Sequence, residues 1–194
     1  MFNDRYGLTQ AVLEGRKTMT RRIIKGNFAE VVYLGYDGSW FGRNLDGERV
    51  TLPQPKFEIG EDVAIAQAYN SFRYPALPGI DWVAIINVVK NSKAWTNKLF
   101  VSADLMPYRI HITDVKAQWL HQISDVDCIK EGIIKGNLMN AWGMYYFDRL
   151  GNKKSHISYY TPRAAFASLI DRICGKLTWA RNPLVYAYTF ELIK

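Results

Sequence analysis

The residues from 184 to 193 constrain the fold most, because their large apolar side chains recur at every second position. The residues that share this face are Leu184, Tyr186, Tyr188, Phe190 and Leu192. Two-residue alternation over ten positions is typical of a β-strand with one buried face. It predicts a buried C-terminal strand that closes a sheet.

A well-marked helix is predicted shortly before that strand. Thr161 is a good capping residue, Pro162 suits the first helical position, and Gly175 is a usual stop. Between them lies an apolar stripe at helical spacing, formed by Ala165, Phe166, Leu169, Ile170 and Ile173. The stripe predicts a helix packed against the sheet.

The rest of the chain divides into short strands with few helices. Strands are predicted at 18–24, 62–69 and 109–120, hairpins at 30–52 and 142–160, and short helices at 8–14 and 124–132. Because strands and helices do not alternate regularly, we expect an α+β fold with a barrel-like sheet of mixed or antiparallel strands and flanking helices. The 194 residues fit one domain, 1–194, with an elaborated insertion at about 70–106.

Composition narrows the class of protein. With 48% hydrophobic residues, no membrane-length apolar segment and no secretory signal, we expect a cytoplasmic protein without a membrane partner. Cys128 and Cys174 lie in predicted helices and are expected in the core. The cysteines and the three histidines lack ligand spacing, so neither a metal nor a cofactor is expected. The net charge of +7 favours polyanionic partners but equally suits a merely soluble basic protein.

The sharpest chemical feature is a basic turn at residues 15–22, where a predicted helix gives way to a strand. Its cations are Arg16, Lys17, Arg21 and Arg22, with the hydroxyls of Thr18 and Thr20 between them. Converging charge, backbone N–H groups and hydroxyl donors are what a phosphate requires. The alternative is a solvated basic edge that discourages strand pairing.

These residues resemble a known family. The stretch 13–22, LEGRKTMTRR, looks like the GRKT motif that opens ASCH domains. Residues 60–63, 109–115 with 123–124, and 131–132 are similar to further stretches of that family, and 179–185 resemble its phage and prophage versions. The resemblance covers most of the chain outside residues 70–100.

The resemblance implies a PUA-like β-barrel with flanking helices and a cleft beside the turn, in a superfamily associated with RNA binding. Some small members that are similar at this turn are amidohydrolases that act on N4-acylated cytidine with a lysine, a threonine and a glutamate. Carried over by motif, these residues are Lys17, Thr20 and Glu131.

The chemistry of such a triad follows from ordinary principles. A threonine hydroxyl is a weak nucleophile unless a base takes its proton, and Lys17 is such a base if neighbouring arginines and burial lower its pKa. Glu131 would donate to the leaving amine or polarise the intermediate. Lys17 must then lie in the turn, because residues 17 and 20 of a regular strand point to opposite faces. The alternative for Glu131 is a solvation role only, because it lies near a helix end, where a carboxylate is unfavourable against the helix dipole.

Three functions remain open. The first is binding of RNA, another nucleic acid or a nucleotide, with a base stacked on an aromatic ring. The phosphate-binding candidates are Arg16, Lys17, Thr18, Arg21 and Arg22. Among Trp40, Phe41, Tyr69, Phe72 and Tyr74, only Tyr69 or Trp40 is expected to reach the cleft, and the others are expected to pack in the core. The second function is the amidohydrolase, and the third is a phage accessory protein that binds a host protein through an exposed apolar patch.

Overall fold

A computed structural model describes residues 2–26, 28–35, 38–71, 81–136, 143–147 and 157–193, and for residues 30–34 it describes the backbone. The strands are β1 (Met19–Ile23), β2 (Glu30–Leu34), β3 (Trp40–Arg43), β4 (Arg49–Thr51), β5 (Asp62–Ala64), β6 (Arg109–Trp119), β7 (Ile134–Lys135), β8 (Tyr145–Tyr146) and β9 (Leu184–Ile193). The α-helices are α1 (Leu8–Leu13), α2 (Trp82–Val89), α3 (Asp125–Lys130), α4 (Pro162–Cys174) and α5 (Thr178–Arg181).

The main sheet has four antiparallel strands in the order β1-β9-β6-β5 and curls into a half-barrel. β2, β3 and β4 form a separate antiparallel meander, and β7 pairs with β8. The longest pairing joins β6 to β9, with a register shift between Ile112 and Asp114. The predicted α+β, barrel-like class is therefore confirmed at this level of detail.

β9 occupies the interior of the sheet rather than its edge. Its even-numbered residues Tyr186 and Tyr188 pack in one core cluster, as the alternation predicts. Val185 is also buried, in a second cluster that includes Phe166 and Leu169 of α4. β9 is thus covered on both faces at this end, because α4 packs against the face that alternation alone would leave to solvent. The expectation that β9 closes the sheet was wrong, since β1 and β6 flank it.

The predicted helix boundaries are confirmed where the capping residues marked them. Thr161 accepts a hydrogen bond from the Ala164 N–H at 3.1 Å, and Ser124 accepts one from the Asp127 N–H at 3.1 Å. Gly15 after α1 has a φ of +73°, a conformation that favours glycine and turns the chain into β1.

Other predicted boundaries need correction. The strand expected at 62–69 ends at Ala64, and residues 69–71 form a 3₁₀ turn. The apolar stretch in the insertion is the helix α2, whose residues are not buried within the described chain. Part of the predicted 142–160 hairpin is present, because Tyr145 and Tyr159 exchange backbone hydrogen bonds of 2.8 Å. Its turn at 151–152 lies outside the described residues.

The two cysteines have different environments. Cys128 in α3 is buried, and burial raises the pKa of its thiol to about 12. Cys174, at the end of α4, is exposed, which corrects the expectation that both cysteines lie in the core. Among the helices that the structure describes, none has the length and apolar character needed to cross a bilayer.

Candidate active site beside strand β1

A cavity of about 290 Å³ lies beside β1, the edge strand of the main sheet. The segment before α1, the turn into β1, β1 itself, the end of α3 and one face of α4 form its walls. The polar lining residues are Asn3, Lys17, Thr20, Arg21, Arg22, Glu131 and Cys174, and the apolar ones are Phe2, Leu8, Phe166, Leu169, Ile170 and Ile173. The cavity therefore combines an apolar wall with a cluster of charged groups.

Lys17 lies in the turn before β1 and is buried. The turn is fixed by backbone hydrogen bonds of 2.9 Å from Lys17 N–H to the Ala11 carbonyl and from Thr18 N–H to the Lys130 carbonyl. The Lys17 ammonium donates to the Met19 carbonyl at 2.6 Å, the Glu131 carbonyl at 2.8 Å and Glu131 Oε2 at 2.6 Å. These three acceptors use all of its N–H groups.

Glu131 is the residue that caps the C-terminus of α3, and it is buried rather than solvated. Its second carboxylate oxygen, Oε1, accepts a hydrogen bond of 2.9 Å from Arg21. A carboxylate is unfavourable at a helix C-terminus, and here two cations offset that effect. Gly132 follows with φ +103°, and a Cβ there would lie 3.2 Å from the Leu8 side chain, so glycine permits this close packing.

Arg21 is buried with Glu131 and also contacts Asp127 of α3, Nη2 to Oδ2, at 3.3 Å. Its Nε–H finds no acceptor among the residues that the structure describes. The cluster therefore places the cations Lys17, Arg21 and Arg22 beside the carboxylates Glu131 and Asp127. An acceptor group of a ligand would complement this arrangement.

Thr20 and Arg22 lie two residues apart on β1, opposite Tyr188 and Tyr186 of β9. Thr20 is largely buried, and within the described chain its hydroxyl makes no hydrogen bond. Both residues, together with Phe2, also line a small apolar side pocket of about 20 Å³. Thr20 therefore lines both the cavity and the side pocket.

The pKa of Lys17 is lowered from the ordinary lysine value, and burial is the main cause. The charge and hydrogen bond of Glu131 oppose this effect, while Arg22 and Arg21 add to it. The expected influence of nearby arginines is therefore present but secondary. Although Cys174 is exposed by its surface area, partial desolvation by the surrounding cavity wall raises the pKa of its thiol.

The structure brings Lys17, Thr20, Arg21, Arg22 and Glu131 to one cavity. Lys17 precedes the regular strand, as joint action of residues 17 and 20 requires. Within the described chain Lys17 hydrogen-bonds to Glu131, whereas the Thr20 hydroxyl makes no hydrogen bond to either residue.

Other predicted binding residues lie elsewhere. Arg16 is on the outside of the turn, with Nη2 2.6 Å from Glu14 Oε2, and Thr18 does not line the cavity. Tyr69 is buried in a separate cluster, where its hydroxyl accepts a hydrogen bond of 2.9 Å from Ser102 N–H. Trp40 packs edge-on against Tyr186. Neither Trp40 nor Tyr69 lines the cavity.

Three further aromatic residues were candidates for stacking, and one of them is among the described residues. The guanidinium carbon of Arg49 lies 3.8 Å from the centroid of the Phe41 ring, and Phe41 does not line the cavity. Phe72 and Tyr74 lie outside the described residues.

Sequence reasoning did not identify Phe2, Asn3, Asp127 or the α4 wall as parts of the site. The stripe on α4 was visible as an apolar face, but its pattern fits ordinary core packing equally well. Phe2 and Asn3 carry no motif at all. Only the folded chain brings these segments beside β1.

The cavity offers a hydroxyl, an amine and a carboxylate, which together can transfer an acyl group. Within the described residues, no three His, Cys, Asp or Glu side chains cluster as a metal site. Comparison of the chain with protein-family models, curated proteins and solved structures found no match.

Proposed function

We propose that this chain is an ASCH-type amidohydrolase with a PUA-like barrel, and that it cleaves the acyl amide of an N4-acylated, cytidine-like nucleoside. One observation carries the proposal: Lys17, Thr20 and Glu131 line the same cavity, with Lys17 Nζ 2.6 Å from Glu131 Oε2. These are the three residue types that the GRKT resemblance assigns to the reaction.

The size of the cavity favours a small substrate. Its volume of about 290 Å³ is just below the range of about 300–1,000 Å³ that is usual for ligand pockets. A space of this size suits a single nucleoside. Its apolar wall on α4 suits a planar base, and its charged wall suits polar substituents.

In the proposed mechanism, Lys17 becomes a base by giving a proton to Glu131. Its nitrogen donates to three acceptors, which is the arrangement of an ammonium. Two of the acceptors are peptide carbonyls, so the Glu131 carboxylate is the one that can take the proton. Burial lowers the pKa of Lys17 and favours this transfer. The pair then consists of a neutral amine and a carboxylic acid.

In the acylation step, the Thr20 oxygen attacks the amide carbonyl carbon while its proton passes to the Lys17 amine. The carbon–nitrogen bond then breaks, and the leaving nitrogen takes the proton of the Glu131 carboxylic acid. The products are a free amine, an acyl ester on Thr20 and the restored ion pair of Lys17 and Glu131.

Water then repeats the sequence, after Lys17 has again given a proton to Glu131. The water oxygen attacks the ester carbon, and a proton of that water passes to Lys17. The ester bond then breaks, and the Thr20 oxygen takes the proton from Glu131. The acyl group leaves as a carboxylic acid. Arg22 lines the cavity beside Thr20, and its charge would stabilise the negative oxygen that forms in both steps.

A second candidate, nucleic-acid binding at the same turn, is favoured by the net charge of +7. It is the weaker candidate, because Arg16 pairs with Glu14 while Lys17 and Arg21 pair with Glu131. These pairs neutralise much of the charge that a phosphate would meet. Two or three phosphate contacts would give single-strand binding a log–log salt slope of about −1.4 to −2. A flat slope in fluorescence anisotropy would exclude this candidate.

The amidohydrolase proposal is tested by incubating the protein with N4-acetylcytidine and measuring the cytidine that is released. We expect Thr20→Ala to lower kcat/KM by at least about a thousand-fold, because it removes the nucleophile. Thr20→Ser should retain measurable turnover. Thr51→Ala, at an exposed threonine on β4 away from the cavity, is the matched control and should match the parent. Full activity in Thr20→Ala, or no amide cleaved by the folded parent, would contradict the proposal.

A further inference from the structure

Phe2 has a special position between the two halves of the protein core. Its side chain packs against both core clusters, one on each face of β9. It also lines both the cavity and the side pocket. The centroid of its ring lies 5.8 Å from Lys17 Nζ and 5.6 Å from the Phe190 ring centroid. The ring therefore covers one side of the buried Lys17 and Glu131 pair.

Lys98, from the insertion, holds the backbone of this segment in place. Its ammonium donates to the Phe2 carbonyl at 2.6 Å and pairs with the Asp4 carboxylate at 2.7 Å. It also donates to the Thr9 hydroxyl of α1 at 3.3 Å, and that hydroxyl donates in turn to Asp4. The Lys98 side chain is largely buried, whereas that of Asp4 is 52% exposed.

We propose that Lys98 anchors Phe2 as the cover of the Lys17 and Glu131 pair, so that the insertion is a positioning element of the cavity. Neither residue carries out the chemistry, and only the catalytic consequence rests on the proposed function. The sequence of the insertion does not by itself indicate this positioning role. It also explains why a lysine 96 positions away contacts the segment before α1.

The Phe2 ring has two opposite effects on Lys17. Its π face attracts the ammonium, which raises the pKa, whereas its bulk excludes water, which lowers the pKa. Burial is the largest cause of the lowered pKa of Lys17, so exclusion of water should dominate.

The charged and titratable groups around Lys17 remain in place when Phe2 changes. They are Glu131 and Asp127 from α3, Arg21 and Arg22 from β1, and Cys174 from α4, with Asp4 and Lys98 behind Phe2.

The experiment is an NMR titration of the Lys17 side chain in the full chain, with its signal assigned by loss in Lys17→Arg. Phe2→Ala should admit water and raise the Lys17 pKa by about one unit, a tenfold change in its ionisation constant. Phe2→Leu removes the π face but keeps the bulk, so its Lys17 pKa should stay near or below the parent value. Lys98→Met should raise it by less than Phe2→Ala does. Lys93→Met, at an exposed lysine of the same insertion, is the control and should match the parent.

If the Lys17 pKa is unchanged in folded Phe2→Ala, Phe2 does not cover the ion pair. If it is unchanged in Lys98→Met, Lys98 does not anchor Phe2. If Phe2→Ala does not fold, Lys98→Met decides, because it leaves the ring intact. In an active parent, the kcat/KM pH profile should move with the Lys17 pKa, whereas a purely structural role would lower the rate without moving it. If the titrations behave as expected but the parent cleaves no amide, the cover stands and the amidohydrolase fails.

Discussion

Arg16 and Lys17 are adjacent in one turn, yet they form two very different ion pairs. Arg16 Nη2 lies 2.6 Å from Glu14 Oε2, and Lys17 Nζ lies 2.6 Å from Glu131 Oε2. The side chains of the first pair are 37% and 43% exposed, whereas those of the second are 2% and 6% exposed. The two cations are neighbours in the sequence, carry the same charge and have the same ion-pair distance, so burial is what distinguishes the two ion pairs.

The same short distance contributes differently to stability in the exposed pair and in the buried pair. Water screens the outer pair, so its formation adds little to stability. The inner pair has lost its hydration, and it is tolerated because three acceptors satisfy Lys17 and two cations satisfy Glu131. Loss of any member leaves a buried charge without its partner. The same dehydration lowers the pKa of Lys17 and would make it a base.

The largest expected effect is on the inner carboxylate. Glu131→Gln should lower the free energy of unfolding by about 3–5 kcal/mol, because Lys17 and Arg21 lose the buried charge that offsets theirs. Glu14→Gln is the matched control and should lower it by about 0–1 kcal/mol. Urea denaturation measures both. Equal effects of the two substitutions would remove the distinction between the pairs.

A double-mutant cycle should show a smaller but still clear difference. For Lys17→Met with Glu131→Gln, we expect a coupling energy of about 1–3 kcal/mol, because each single substitution already removes the buried interaction. The same cycle with Arg16→Ala and Glu14→Gln should give about 0–1 kcal/mol. Additive effects at the inner pair would mean that Lys17 and Glu131 do not depend on each other.

The pH dependence of stability tests the direction of the Lys17 pKa shift. If the folded-state pKa is lowered, the unfolded chain holds more protons between the two values, and stability rises with pH in that window. Relative to Lys17→Met, the parent should gain up to about 1.4 kcal/mol per pH unit just below the ordinary lysine pKa of about 10.4. A relative loss of stability above about pH 10.4 would instead show that the pKa is raised and that the charge of Glu131 outweighs burial.

The smallest effect is expected at the outer pair. Arg16→Ala should change the free energy of unfolding by less than about 1 kcal/mol, and the difference should vanish in about 1 M salt, where screening acts over about 3 Å. Turnover should be unchanged, because Arg16 does not line the cavity. A large, salt-independent effect would show that the outer pair also supports the site.

Local patterns predicted much of the fold. Thr161, Pro162 and Gly175 bracket α4, Ser124 begins α3, and the alternation in residues 184–192 identifies β9, because capping and periodicity act between neighbours in the chain. The end of β5 at Ala64 was missed, since an apolar run does not say how far its partner strand extends. Among the proposed site residues, Lys17 and Thr20 belong to one local motif, whereas Glu131 was assigned only through the family resemblance.

The sequence by itself determined the longer helices and strands outside the insertion, the turn that places Lys17 ahead of β1, and the concentration of positive charge there. The tertiary structure decided which charges are buried and which residues meet. Glu131 lies 114 positions from Lys17, and Lys98 lies 96 positions from Phe2. Contacts at such separations follow from the packing of α3 and the insertion around β1, and solvent exposure depends on everything that surrounds a group. Burial, which distinguishes Lys17 from Arg16, is therefore a property of the whole fold rather than of the turn.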